Sequence, residues 1–192
     1  MKDDKTREPV LIANGQGFWG DSIDAPIKLI DGEPLHYITL DYLAEVTMSI
    51  MQRQKLRNPQ KGYATDFVDL MRETLPQLVE KNIKVIASAG GVNPKACREA
   101  VLDAARKLGL KRIKIGIVEG DDILLRLPEL LNSGVEFRHM DTSEPLAPFK
   151  DKVLSANVYI TSFAIAEALQ QGAQIIITGR VSDPGLVLGP MI

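Results

Sequence analysis

Two short apolar runs, IKVIASA at 83–89 and QIIIT at 174–178, restrict the fold more than anything else in this 192-residue chain. Each is almost uninterrupted by polar residues and rich in β-branched side chains. A strand with one face in water alternates, whereas a strand covered on both faces does not, and such strands belong to parallel sheets sandwiched by helices. Further β-rich runs fall at 9–14, 36–40, 112–118, 135–140 and 157–161, with helical patterns between them. The alternation predicts a three-layer α/β fold: a largely parallel central sheet of about six to seven strands, with helices on both faces.

The intervening segments carry helical spacing. Leu43, Val46, Thr47, Ile50 and Met51 fall on one helical face, as do Phe67, Leu70, Met71, Leu75 and Leu78, although Pro76 is expected to kink or shorten that second helix. Ala96, Ala100, Val101, Ala104, Ala105 and Leu108 form a third face, closed by Gly109 and opened by Asn93-Pro94, a capping side chain followed by a first-turn proline. The length suits one α/β domain over 1–192, and the chain's stop just after the 174–178 strand suggests the N-terminal portion of a longer architecture. The least regular stretch is 141–152, rich in proline and charge, a crossover or a surface excursion.

Composition narrows the partners. The formal net charge is −2, with no basic stripe, which argues against nucleic acid. No apolar run is long enough for a membrane span, and the opening MKDDKTREP lacks the apolar core of a signal peptide, so a cytoplasmic location is expected. The single cysteine, Cys97, has no partner within the chain for a disulfide, and two histidines suggest no zinc ligand set. The sequence leaves the cofactor open, and its acidic residues Asp21, Asp41, Glu119, Asp121, Asp122 and Asp183 could supply a divalent-cation site or a general base.

In open parallel sheets, ligands bind beyond the carboxyl ends of the strands. Small, glycine-rich and acidic residues follow most of the expected strands. Ser88, Gly90, Gly91 and Asn93 lie in a turn before a helix start, where backbone N–H groups suit a phosphate or carboxylate; the alternative is a plain tight turn. Thr178, Gly179 and Arg180 follow the last strand, where the arginine offers a fork to an anion or an internal salt bridge to Asp183. Asp41, Glu119 and Asp183 are the candidates for proton transfer, with Asn14 and Gly17 as further binding positions on the first loop. The neighbouring Asp121-Asp122 pair suits a helix start equally well, as do Asp21 and Asp24. His36 and His139 read as structural, and Cys97 sits in a helix without a nearby base. Phe18 and Trp19 either wall a ligand or pin their loop.

The first loop also contains Gly15-x-Gly17-x-x-Gly20 after an apolar strand, with Asp41 at the end of the next strand, the pattern of a dinucleotide fingerprint. Against it, Asp21 and Asp24 place negative charge where a pyrophosphate would dock, and Pro26 and Gly32 confine the following helix to about two turns. The glycines then serve a close backbone approach or a tight turn.

Taken together and in order, GFWGDSIDAP, DYLAEVTMSIM, GYATDFV, SAGGVNP and ANVYITSFAIAEALQQGAQIIITGRVSDPGLVLGP resemble the acyclic terpene utilization (AtuA-type) family. The resemblance implies a role in bacterial breakdown of branched acyclic terpenoids, among enzymes of acyl-CoA and organic-acid catabolism. It marks Asn14, Gly17, Asp21, Asp41, Glu45, Gly90, Gly91, Asn93, Thr178, Gly179, Arg180 and Asp183 as motif positions. The expected activity is hydrolysis, hydration or carbon–carbon cleavage of a small anionic substrate, such as a branched acyl-CoA or organic acid. The alternatives are an NAD(P)-dependent oxidoreductase and a non-catalytic subunit of a catabolic complex; a homo-oligomer is also expected.

Overall fold

The computed structural model describes residues 9–32 and 34–192; the charged opening segment discussed above lies largely outside them. Five strands, β1 (Ile12–Gln16), β2 (Tyr37–Asp41), β3 (Lys84–Ser88), β4 (Ile115–Val118) and β5 (Ile175–Thr178), form one sheet in the order β1-β2-β3-β5-β4. Every pairing is parallel. The helices are α1 (Asp24–Asp31), α2 (Glu45–Arg57), α3 (Thr65–Glu80), α4 (Pro94–Lys107), α5 (Leu127–Asn132), α6 (Phe163–Gln170) and α7 (Asp183–Leu188).

Strand order and handedness together sort the helices onto two faces. From β1 through β3 to β4 the chain advances in one direction across the sheet, and right-handed crossovers keep the connecting helices on one side. There Ile38, Leu40, Val85, Ala87, Ile115 and Ile177 meet Ile30, Phe67, Leu70, Met71, Leu75 and Val101 in the larger core. From β4 the chain steps back to insert β5, so α6 crosses on the opposite side. On that side Ile86, Val118 and Ile176 pack against Ile165, Val181 and Leu186, contributed by α6, α7 and the turn before α7. The loops leaving β3 and β5 therefore diverge to opposite faces.

The strand count needs correction. The sheet has five strands, not six or seven. Residues 135–140 and 157–161 belong to a long excursion between β4 and α6, where only isolated bridges form: Arg138 with Pro145, Asp122 with Asn157, and Ile160 with Val181. Their alternating pattern is that of strands, but no neighbouring strand runs beside them for more than one residue pair. The 141–152 segment is a turn followed by a 3₁₀ stretch over Ala147–Lys152.

Pro76 neither ends nor shortens α3, which continues to Glu80. Its ring lies on the exposed side of the helix, while Leu75 and Leu78 are buried around it. The hydrogen bond the proline removes is thus lost at the solvent side, and tertiary burial holds the helix together across the gap. Asn93 makes no side-chain cap on α4. Its amide instead donates to Pro59 O and Lys61 O, both at 2.8 Å, clamping the preceding loop.

Candidate functional site

The site is built outward from the end of β5. Gly90 N–H donates to Thr178 O at 2.9 Å, joining the turns that leave β3 and β5. The next residue, Gly179, has no room for a side chain: a Cβ there would overlap the carboxylate of Asp121. That carboxylate is almost fully buried just beyond β4. Its Oδ2 accepts from the Arg180 backbone N–H at 2.8 Å and from Asn157 Nδ2 at 2.9 Å. One acceptor therefore ties the ends of β4 and β5 to the returning excursion. Ile160 N–H to Arg180 O at 3.0 Å and Ser182 N–H to Ile160 O at 3.2 Å complete the tie and set Tyr159 beside Arg180.

The Arg180 side chain is 8% exposed. Its Nη1 donates to Leu43 O at 2.6 Å and to Asp183 Oδ1 at 3.2 Å. Its Nη2 donates to the Tyr159 hydroxyl at 3.1 Å and lies 3.6 Å from Glu45 Oε1. The guanidinium carbon stacks 4.6 Å from the centre of the Tyr159 ring, a cation–π arrangement. Tyr159 in turn donates its hydroxyl proton to Glu45 Oε1 at 2.7 Å. Arg180, Tyr159 and Glu45, with Met48 and Ser49 of α2 and Ser155 and Asn157 of the excursion, line a cleft of about 220 Å³.

Two carboxyl groups beside Arg180 are driven in opposite directions. Burial pushes the Asp41 carboxyl above its usual range and the negative charge of Asp183 adds to this; bonds from Ser88 Oγ at 2.5 Å and Leu43 N–H at 3.3 Å offset part of it. The Tyr159 hydrogen bond and the Arg180 charge instead hold Glu45 below its usual range. Burial opposes the charge on Arg180, yet the contacts to Tyr159 and Asp183 outweigh it and keep the arginine firmly protonated. Divergent titration of two nearby acids is a pattern suited to proton transfer.

The expected positions are distributed unevenly around this centre. Asp41, Ser88, Thr178, Gly179, Arg180 and Asp183 converge on it through the contacts above. In the 88–93 turn, however, most donors are already used: Gly90 N–H by Thr178 O, Val92 N–H by Gly62 O, and Asn93 N–H by Gly90 O. Gly91 takes a positive φ of 54°, tight against Met51 and Gly62. Glu119 faces elsewhere, 3.5 Å from Lys95 and lining a groove along the free edge of β4.

Asn14 and Gly17 belong to the opposite edge of the sheet. The Asn14 amide nitrogen donates to Thr39 O and Gln16 O, both at 3.0 Å, and Gly17 N–H donates to Asp21 Oδ2 at 3.1 Å. The glycines of this loop have local reasons. A Cβ on Gly15 would come 2.9 Å from Pro26 Cβ of α1, and Gly20 adopts a φ of 108° in a turn outside any helix. Trp19 Nε1 donates to Asp66 Oδ1 at 2.8 Å, pinning the loop to α3, while Phe18 stays exposed.

Other candidates settle into structural places. Leu11 N–H donates to His36 Nδ1, and the N–H groups of Asp141 and Thr142 donate to His139 Nδ1 in a surface turn. Cys97 is buried within α4, and burial pushes its thiol far above the usual range. Asp122 accepts from Leu124 N–H at 3.0 Å at a helical turn, whereas its neighbour Asp121 is the buried tie described above. Among the described residues no group of three or more His, Cys, Asp or Glu is placed to hold a metal ion, and no helix is long and apolar enough to cross a membrane.

Residues 155, 157 and 159 escaped the sequence argument. Ser155, Asn157 and Tyr159 alternate with Ala156 and Val158, and that alternation was the available signal. It was absorbed by the expectation of a strand at 157–161. The partner that makes Tyr159 matter, Arg180, lies 21 positions away and is brought to it only by the excursion's return.

Comparison with known proteins agrees with the order of the motifs. A family model described as acyclic terpene utilisation family protein AtuA matches residues 10–192. No curated protein and no solved structure matches the chain. The match spans nearly the full sequence, including every element of the site, and membership suggests a role in acyclic terpene utilisation. The chain belongs to the acyclic terpene utilisation family, AtuA.

Proposed function

We propose that this protein acts in the breakdown of acyclic terpenoids on a small branched carboxylate or acyl substrate, anchored at Arg180. The observation that carries this reading is the environment of the guanidinium: buried, fixed by Leu43 O and Asp183 on Nη1, and bordering the cleft alongside Tyr159 and Glu45. A cation held this rigidly in a partly dry site binds a carboxylate with little reorganisation. At about 220 Å³ the cleft is smaller than the roughly 300–1,000 Å³ of sites that enclose a drug-sized ligand. It suits a branched acid or the acyl end of a thioester, with any coenzyme A portion lying outside.

In this reading Asp41 and Glu45 divide the proton traffic. Asp41, pushed toward its neutral form by burial, gives a proton; Glu45, held ionised by Tyr159 and Arg180, takes one. Asp183 orients Arg180. Hydration, hydrolysis and carbon–carbon cleavage of an anchored acid or thioester all need such a pair. Ser88 supports the Asp41 carboxyl, and Thr178 and Gly179 position the arginine.

Thermal shift with isovalerate against its neutral isostere isovaleramide tests the anchor. A ligand at about a hundred times its dissociation constant adds some 2.7 kcal/mol of stability. Isovalerate is expected to raise the Tm, isovaleramide to leave it unchanged, and Arg180→Lys to abolish the response, because an ammonium does not reproduce the planar fork. Equal shifts with acid and amide, or with wild type and Arg180→Lys, would overturn the assignment.

A further inference from the structure

We infer that Glu45 is a resident carboxylate, occupying in the free protein the place on Arg180 and Tyr159 that a ligand's carboxylate takes. The inference rests on the reading of Arg180 as an anion anchor and specifies how that anchor is guarded. The two nitrogens at the tip of the guanidinium are not equivalent. Nη1 is committed to the main chain at Leu43 and to Asp183. Nη2 has one hydrogen bond, to Tyr159, and its next polar neighbour is Glu45 Oε1 at 3.6 Å.

Glu45 differs from the buried acids of the site in how it is held. Asp41 accepts from Ser88 Oγ and Leu43 N–H, and Asp121 from Asn157 and the Arg180 backbone. The Glu45 side chain is 77% exposed, while the arginine it approaches is 8% exposed. Its one side-chain hydrogen bond is from Tyr159. An exposed ion pair of this kind holds its geometry weakly, so the side chain can leave at small cost. As the first residue of α2, Glu45 also sits where the helix field favours a carboxylate, and an incoming acid meets the same field.

Charge favours the exchange. Glu45 and Asp183 already flank one arginine. A further anion added without displacing one of them would meet net repulsion in a partly desolvated site. Asp183 is also exposed, but it takes Nη1 and does not line the cleft, whereas Glu45 faces Nη2 within it. Binding then releases the Glu45 carboxylate from Tyr159 and Arg180.

Calorimetric titration of isovalerate into wild type, Glu45→Gln, Glu45→Ala and Arg180→Lys, in low-chloride buffer, tests the exchange. With the competitor gone, Glu45→Gln and Glu45→Ala are expected to bind isovalerate about two- to fivefold more tightly, as suits an exposed ion pair. Isovaleramide, which carries no charge, should gain nothing from either substitution. Unchanged or weaker isovalerate binding in both Glu45 variants, alongside measurable binding to wild type, would overturn this inference and leave the Arg180 anchor standing. Absence of binding to wild type and both Glu45 variants would overturn the anchor and the exchange together.

Discussion

Two glycine-containing turns leave this sheet, one from the edge strand β1 and one from the interior strand β5, and the protein uses them in opposite ways. After β1, the turn through Gly17 is open: the nearest atom to a Cβ on Gly17 would be Asp21 Oδ2, at 3.8 Å. The loop bonds mostly to itself and, through Trp19, to Asp66. After β5, the turn through Gly179 is closed, with the Asp121 carboxylate filling the side-chain space. The first turn shows the richer glycine motif, but the second holds the charged machinery. Glycine spacing reports that backbone must approach something; only the tertiary partner tells whether that is a helix, as at Gly15 and Pro26, or a buried carboxylate, as at Gly179 and Asp121.

The contrast can be broken or sharpened by substitution, and the largest effect is expected at Gly179. Gly179→Ala must displace Asp121, costing the overlap and also the bonds to Arg180 N–H and Asn157. A loss of about 3 kcal/mol, or roughly 6–12 °C in Tm, is expected by calorimetry. A loss under about 1 kcal/mol would mean that the tie is not under compression.

Asp41→Asn gives an intermediate effect whose sign depends on pH. Burial raises the folded-state pKa of Asp41 above its unfolded value. Below the unfolded value the acid is neutral in both states and costs nothing; as pH rises through the folded value, ionisation inside the fold erodes stability. The asparagine keeps an acceptor for Ser88 and Leu43 and escapes that cost. The Tm advantage of Asp41→Asn over wild type should therefore be least in acid and grow toward neutral pH. An advantage that shrinks across the same range would contradict the assigned direction.

At the β1 turn the effects are smaller. Trp19→Phe removes the hydrogen bond to Asp66 while keeping the ring, and should cost about 1 kcal/mol in chemical denaturation. The response to isovalerate should remain unchanged; its loss would bring the first loop back into the site. Gly17→Ala meets open space at an ordinary φ and should alter stability by at most about 0.5 kcal/mol, with a slight gain the favoured direction. A loss above about 2 kcal/mol would show that the turn is closed after all.

How much of this was legible in the chain follows from the range of the interactions. Strands β3 and β5 and helices α3 and α4 announce themselves because burial on both faces, or on one helical stripe, is written in consecutive residues, whereas the face expected for α2 is not the buried one: Val46 and Ile50 are exposed and Met48 and Met51 are buried. The placement of Arg180 and Asp41 at the carboxyl end of the sheet was legible for the same reason, since the residue after a parallel strand has a known destination. The excursion was not legible. Val135, Phe137 and Tyr159 alternate as strand residues do, but strand pairing needs a neighbour, and neighbours are assigned by the whole topology. Asp121 was masked by its neighbour, because two adjacent acids before a helical turn suggest capping. Asp122 does bond there, while Asp121 turns inward to Gly179 and Arg180. Pro76 misled in the other direction, because a local helix breaker on a solvent face yields to a well-packed buried one.

The most direct test is a crystal structure of the protein grown with saturating isovalerate. The account predicts a carboxylate oxygen about 2.7–2.9 Å from Arg180 Nη2 and within reach of the Tyr159 hydroxyl, with the Glu45 carboxylate shifted off Tyr159 along the cleft wall. Isovalerate bound elsewhere, with Glu45 still accepting from Tyr159 and the cleft holding only solvent, would contradict it.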